Sequence, residues 1–316
     1  MNFYRAVRAV ADASGSEPID WTAVTESAKA ATDPGSIDLD EAAIDRYRDD
    51  VRSARDRIRS VGGVDFDLPE TIEIQHRHHW IDANVATFER VLEQMDTEIG
   101  MLPGLVRTIN TGSMALSVSF LSNNVLGQYD PLFLSDSDDH ALYFVHPNIE
   151  RIANELEVDS DRFTRWIAFH EVTHAAEFGA APWLSDHLEQ QVEELLADLS
   201  AGNVSQLDLT GVDVTMTSVE GYAELLMDRT FDAEYDDLRS KLDARRHSGG
   251  FLTQLMRYAL GLGRKRRQYE RGKTFFEQVA DERDLETAAI VWEKPDNLPT
   301  NTELDDPSLW LARMDI

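Results

Sequence analysis

The sequence predicts a mainly α-helical protein that contains one small β-hairpin or sheet. Apolar residues recur at helical spacing along most of the chain, two short apolar runs separated by a turn give the best strand candidate, and no internal repeat is present. A length of 316 residues with 42% hydrophobic content is enough for a substantial core. We divide the chain into an N-terminal helical region, 1–70, and a larger helical region, 71–316, expected to form one continuous unit.

The N-terminal half is predicted to be helical almost throughout. Residues 1–60 form helical segments broken at Gly15–Pro18 and Asp33–Gly35, where glycine and proline interrupt the pattern. The next periodic stretch, residues 71–98, is predicted to be one long amphipathic helix. Residues 104–127 are small and apolar, which favours close packing between helices.

The best strand candidate lies in the middle of the chain. Leu132–Leu134, a turn at Ser135–Asp139 and the apolar run Ala141–Val145 predict a short hairpin. We expect the strand Ala141–Val145 to be available for pairing with an extended peptide.

Helices return after the hairpin. Asp159 or Ser160 is predicted to cap a helix that continues to about Phe178, and Gly179 ends it. A second helix is predicted from Leu184 to Leu199, followed by a loop that can hold a short strand. Ser218 is predicted to cap the next helix, with further helices at 232–244, 250–271 and 273–281.

Composition restricts the function before any motif is considered. The chain has no cysteine, so disulfides, thiolate metal sites and cysteine nucleophiles are excluded. No run of eighteen apolar residues is present, and the first twenty residues lack the apolar core of a signal peptide. A formal net charge of −29 disfavours binding to nucleic acid. We expect a cytoplasmic protein that binds neither nucleic acid nor membrane.

The most informative pattern is His170-Glu171-Val172-Thr173-His174. Two His four positions apart lie on one face of a helix, so both imidazoles can bind a single Zn²⁺. Glu171 lies beside them and cannot be a ligand in that geometry, but it can orient and deprotonate a metal-bound water. Random placement would produce the pattern roughly 0.02 times in such a chain, so chance is a poor explanation.

A catalytic zinc site also needs a third protein ligand and an open position. The metzincin pattern requires Gly and His where this chain has Glu177 and Ala180, so that class is excluded. Glu177 lies one turn beyond His174, and a Glu from a separate downstream helix is the more usual third ligand.

Two downstream clusters offer such a carboxylate. Glu220 and Glu224 share a helix face, and Gly221 between them would let the helix approach the metal closely. One of the two can bind the metal while the other supports it. The helix with Glu193 and Glu194 is more evenly acidic, as solvated helices are. Glu220 is therefore the predicted third ligand, with Glu224, Glu193 and Glu194 as alternatives.

Several sequence segments resemble the zincin-like metallopeptidase type 2 family. Members of that family are described as zinc-dependent hydrolases, and one branch is labelled coenzyme F-420 biosynthesis-associated. The resemblance extends from about residue 71 to the C-terminus, and the first sixty residues match weakly. The matching words are HEVTHAAEF, APWL, SVEGYAELLMDR, VLGQYDPL, FVHPNI, RHHWIDANVATF, RQYERGKTFFEQV, VWEKPDNLPT and DPSLWLAR.

The resemblance implies a zincin-like helical fold with a zinc ion bound by His170 and His174. It also implies Glu171 as the catalytic base and Glu220 as the third ligand, because the family's Glu-Gly-His/Tyr-Ala word begins at Glu220. Tyr222 occupies the His/Tyr position, but it lies about 200° around the helix from Glu220. We therefore expect no catalytic role for Tyr222.

These observations favour a zinc-dependent hydrolase, most specifically a metallopeptidase acting on a peptide or protein. The alternative is a non-catalytic metal-binding or protein-interaction module built on the same scaffold. Glu171 favours the enzyme, because a purely structural site does not need that carboxylate.

The acidic composition predicts stability that depends on salt. Only 5 of the 30 basic residues are Lys, and acidic side chains number 59, a balance that suits a halophile's cytoplasm, where salt screens the mutual repulsion. We expect the protein to unfold below roughly 1 M KCl, as followed by circular dichroism in a salt series. Unchanged stability in dilute buffer would contradict this prediction.

Overall fold

The computed structural model describes residues 19–62, 64–93, 103–130, 140–200, 210–231, 235–247 and 266–316. Within these ranges the chain forms twelve α-helices and a three-stranded sheet, which confirms the predicted mainly α class with a small sheet. None of the described helices is long and apolar enough to cross a bilayer.

The described elements occur in the following order along the chain: α1 (Trp21–Ala31), α2 (Glu41–Gly62), β1 (Thr71–Gln75), α3 (Arg77–Glu93), α4 (Pro103–Ser122), β2 (Gly127–Asp130), β3 (Ala141–Val145), α5 (His146–Leu156), α6 (Ser160–Ala180), α7 (Leu184–Ser200), α8 (Thr210–Thr230), α9 (Asp236–His247), α10 (Arg266–Glu282), α11 (Leu285–Ala289) and α12 (Pro307–Met314). Two short 3₁₀ helices, Ile290–Trp292 and Pro295–Asn297, connect α11 to the C-terminal segment.

The sheet has the order β1-β3-β2, with β1 parallel and β2 antiparallel to β3. The predicted strand Ala141–Val145 is confirmed as β3, and its hairpin partner is β2. The predicted first strand, Leu132–Leu134, and the turn after it lie outside the described residues. Because β3 has hydrogen-bonded neighbours on both sides, the expectation that it could pair with an extended peptide is wrong.

The periodicity predicts one helix over residues 71–98, and this prediction is wrong at its start. Thr71–Gln75 forms β1, and α3 begins only at Arg77. The pentapeptide TIEIQ alternates β-branched and polar residues, which suits a strand, and its pairing with β3 decides the outcome.

Alternation along β3 places the sheet between two apolar clusters. Leu142 and Phe144 point into the main cluster, whereas Val145 points to the other face. The smaller cluster on that face joins α1, α3 and α4 around Trp21, Trp80 and other buried side chains. Most of the small, apolar stretch 104–127 accordingly lies on a packed helix, α4, whereas Gly127 begins β2.

Helix α6 lies at the centre of the main cluster. Its predicted cap is confirmed, because the Asp159 carboxylate accepts a hydrogen bond from the backbone N–H of Arg162 at 2.9 Å. The helix packs against α2, α5, α8 and β2. Among its buried side chains are Phe163, Ile167 and Val172. Residues of α2, including Val51 and Ile58, belong to the same cluster.

A buried polar network joins the N-terminal helices to α5. The Arg77 guanidinium donates to Asn148 Oδ1 at 2.6 Å and to the carbonyl oxygens of Asp33 and Pro147. Asn148 in turn donates to the carbonyl oxygens of Ser122 and Val125. These bonds satisfy polar groups that would otherwise be buried without partners, so this network has a structural role.

Helix α8 begins earlier than predicted. It starts at Thr210, so Ser218 is an interior residue and donates its hydroxyl to the carbonyl oxygen of Val214 instead of capping the helix. Burial of the apolar face of this first stretch, including Val212, overrides the local capping preference. The helices predicted at 250–271 and 273–281 are not separated at Gly272. In the described part of the chain, from residue 266, α10 continues through that glycine.

Glycine allows α8 and α10 to touch at the backbone. A Cβ at Gly221 would lie 2.6 Å from Gly272 Cα, and a Cβ at Gly272 would lie 3.1 Å from Gly221 Cα. Gly221 therefore faces α10, and the expectation that it would admit a close approach to a metal is wrong.

Alanine at this crossing should destabilise the protein. We expect Gly221→Ala to cost about 1–3 kcal/mol, because backbone atoms cannot move aside as the end of a flexible side chain can. The measurement is the urea unfolding midpoint in concentrated salt. Gly211→Ala, in the same helix, is the matched control, since its Cβ would meet only the Gln191 side chain, at 3.1 Å. Equal stability of the two variants would contradict the prediction.

Candidate functional site

The two histidines of the predicted motif lie side by side on α6. His170 and His174 project from one face, with His170 4% exposed and its ring stacked on Trp166 at a centroid distance of 5.6 Å and an angle of 5°. The Nε2 atoms of the two histidines are 3.3 Å apart. The helix therefore presents two imidazole nitrogens to one point in space.

Glu220 of α8 completes a three-residue cluster. One ligand atom from each of His170, His174 and Glu220 lies within 4.8 Å of the others, and this is the one such group found in the described part of the chain. Glu220 is only 5% exposed. Glu220 lies 46 residues after His174 in the sequence, and packing of α8 against α6 brings its carboxylate to the two histidines.

The donor set and its spacing fit zinc. Two nitrogens bound 2.0–2.1 Å from a tetrahedral Zn²⁺ are expected to lie about 3.3 Å apart, and the observed separation is 3.3 Å. Two imidazoles and one carboxylate are also the ligands of many catalytic zinc sites.

Glu171 is buried next to the three-residue cluster but is not one of its members. Its Oε2 accepts a hydrogen bond from the backbone N–H of Tyr129 at 3.0 Å. Burial raises the pKa of the Glu171 carboxyl to about 7, Glu220 contributes in the same direction, and His174 and the Tyr129 N–H oppose the shift. A carboxyl with this pKa can both accept and return a proton near neutral pH.

Strand β2 makes room for Glu171. The register places Gly127 and Tyr129 opposite Phe144 and Leu142, on the face of the sheet that points to the main cluster and α6. A Cβ at Gly127 would lie 2.5 Å from Glu171 Cγ, so only glycine permits this approach. The strand thus supplies both space and a hydrogen-bond donor to the carboxylate.

A second carboxylate of α6 contacts the cluster. Glu177 Oε2 is 2.8 Å from His174 Nδ1, and the Glu177 side chain is fully buried. The Glu177 carboxylate also accepts a hydrogen bond from the backbone of Ala223 on α8, while burial raises its pKa well above the ordinary value.

The alternative third ligands lie elsewhere. Glu193 and Glu194 are exposed, and Glu224 is not part of the three-residue cluster. Asp228, a residue that could have supported a ligand from the same face of α8, forms ion pairs with Arg239 at 2.9 Å and Lys273 at 2.7 Å instead.

Tyr222 points away from the cluster, as its position on the helix predicts. Its ring packs against Phe276 and Trp292 in the main core. Burial in this core raises the pKa of the Tyr222 phenol far above its ordinary value.

Three supporting residues were missed by the sequence reasoning: Gly127, Tyr129 and Glu177. Gly127 and Tyr129 lie more than forty residues before Glu171, and no local pattern connects them to it. Glu177 carries a weak signal in the sequence, because position i+3 from His174 shares its helix face.

The chain is similar to known proteins in two comparisons. A family model described as zincin-like metallopeptidase matches residues 19–210 and 205–311. A solved structure from Chloroflexus aurantiacus, described as a candidate hydrolase with a novel fold, is 25% identical with a TM-score of 0.74, over 100% of this chain and 99% of that one. A comparison with curated proteins finds no match.

Neutralising Glu171 should stabilise the metal-free protein at alkaline pH. The folded pKa of about 7 lies above the ordinary value of 4.5, so folding is penalised once the carboxyl must ionise, and stability falls as pH rises through this interval. The difference between the two pKa values corresponds to about 3 kcal/mol of unfolding free energy. We expect Glu171→Gln to exceed the wild type in unfolding free energy by up to that amount at pH 8 and to match it near pH 4, measured by urea denaturation with chelator. Exposed Glu193→Gln is the control and should show no difference; a pH-independent effect of Glu171→Gln would contradict the prediction.

Proposed function

The chain belongs to the zincin-like metallopeptidase family, and on that premise we propose that it is a zinc-dependent hydrolase that cleaves peptide bonds. The observation that carries this proposal is the arrangement of His170, His174 and Glu220 around one point, with Glu171 beside them. The candidate-hydrolase description of the Chloroflexus aurantiacus protein supports the same reaction class.

In this proposal His170, His174 and Glu220 hold the metal. When bound, Zn²⁺ lowers the pKa of a water molecule and polarises a carbonyl group. His170 and Glu220 are buried and His174 is partly buried, which lowers the local dielectric and strengthens the charge interactions in the site. The Trp166 ring stacked on His170 limits the rotation of that imidazole.

Glu171 acts as the general base in this proposal. The Tyr129 N–H holds one carboxylate oxygen, Oε2, so the other oxygen is the one that takes the proton of the attacking water. Its raised pKa then allows the carboxyl to pass the proton to the leaving amine. Gly127 keeps the carboxylate in place because no side chain competes for the space.

The proposed substrate is a peptide or protein, and the proposed location is the cytoplasm. A net charge of −29 repels nucleic-acid phosphates and favours substrates that are not strongly acidic. The family description supports the peptide as substrate class. Metal content of the wild type and His170→Ala, followed by a cleavage profile on proteome-derived peptides, tests both the metal and the substrate.

Replacing the base should separate metal binding from turnover. We expect Glu171→Gln to retain zinc at one equivalent and to lose peptidase activity by at least about 10²-fold, because the amide cannot accept the water's proton. His170→Ala should lose both, and Glu193→Gln should keep both. Zinc is measured by elemental analysis and activity with a fluorogenic peptide mixture. Full activity of Glu171→Gln would refute the mechanism, and a zinc-loaded wild type without any hydrolysis would favour a non-catalytic metal-binding module.

A further inference from the structure

Glu177 is an ionisable residue whose burial calls for an explanation. Its side chain is completely inaccessible to solvent in the centre of the main cluster. Taking a carboxylate out of water is unfavourable unless polar or charged partners compensate for the lost hydration. Its Oε1 has no hydrogen-bond partner among the described residues, so the group does not complete a saturated structural network.

The two contacts of Glu177 connect the helices that carry the proposed ligands. Its Oε2 is 2.8 Å from Nδ1 of His174 on α6, and the backbone of Ala223 on α8 donates to the same carboxylate. Ala223 lies three residues after Glu220 on α8. One side chain therefore links the helix that holds two histidines to the helix that holds the acidic ligand.

We propose that Glu177 is a positioning residue that fixes the tautomer and orientation of His174 and its distance from Glu220. In its ionised form Glu177 can only accept, so it takes a hydrogen bond from Nδ1 of His174 at 2.8 Å and leaves the lone pair of the neutral ring on Nε2. That Nε2 is the atom 3.3 Å from His170 Nε2. The inference rests on the proposed metal site and adds how this chain prepares that site before a metal arrives.

The orientation of His174 has a second constraint that supports this assignment. Its ring is held edge-to-face against His170 at a centroid distance of 4.7 Å and an angle of 79°. Stacking on Trp166 restricts His170, whereas the hydrogen bond to Glu177 restricts His174. Without that bond, the ring of His174 could turn about its Cβ–Cγ bond and direct Nδ1 toward the cluster instead of Nε2.

Two variants and one control test the proposal. Glu177→Leu removes the acceptor, and Glu177→Gln keeps an amide oxygen that can still accept from Nδ1. Tyr222→Phe is the control, because it alters a buried side chain of α8 that packs against Phe276 and Trp292 and has no contact with His174. Selective ¹⁵N-His labelling reports the His174 tautomer in metal-free protein. Chelator competition gives the affinity for Zn²⁺, the visible spectrum of the Co²⁺ form reports ligand geometry, and urea unfolding gives metal-free stability.

We expect the wild type and Tyr222→Phe to show His174 protonated at Nδ1. Glu177→Leu should lose this preference, bind Zn²⁺ about 10–100-fold more weakly and show an altered Co²⁺ spectrum. Glu177→Gln should restore the tautomer and part of the affinity. A residue that is only structural would lower stability without changing the tautomer or the Co²⁺ spectrum.

The tautomer and the zinc affinity separate the two proposals. An unchanged His174 tautomer and Zn²⁺ affinity in Glu177→Leu would overturn the role of Glu177, even if the enzyme is active. A wild type that shows the Nδ1–H tautomer but binds no Zn²⁺ would instead contradict the proposed function while upholding the hold of Glu177 on His174.

Discussion

The burial of ionisable side chains on one face of α6 is the constraint on which the rest of the site depends. His170, Glu171 and Glu177 are all nearly inaccessible to solvent inside an otherwise apolar cluster. Each such group must either have a polar partner or be in its neutral protonation state. The backbones of β2 and α8 provide those partners, through the N–H of Tyr129 and the backbone of Ala223. The sheet and the helix are thereby held at defined distances from α6.

Helix α8 meets different requirements on its two sides. Toward α6 it presents Glu220, and toward α10 it presents Gly221, where the two helix backbones touch. Close packing on the glycine side leaves no free volume into which α8 could retreat. The position of Glu220 relative to the histidines is therefore determined in part by a helix, α10, that supplies none of the three clustered residues. Arg77 and Asn148 form a separate network, which ties the N-terminal helices to α5.

Much of the helical framework could be predicted, and the failures share one cause. The cap at Asp159 and the break at Asp33–Gly35 follow from local backbone chemistry, and the structure confirms both. The strand Thr71–Gln75 could not be recognised, because five residues are too few to distinguish the two periodicities until β3 pairs with them. Ser218 was misjudged because its capping preference is overruled by the burial of the helix around it.

By itself, the sequence determined the chemistry available to this protein. The absence of cysteine restricts any metal to imidazole and carboxylate ligands, and the spacing of His170 and His174 places two imidazoles on one helix face. Only the tertiary structure selected Glu220 from several downstream carboxylates, brought Gly127 and Tyr129 to Glu171 and buried Glu177, whose contact with His174 is itself local to α6. The physical reason is that helical periodicity relates only residues three or four positions apart in the sequence. Contacts between separate elements depend instead on how their surfaces pack.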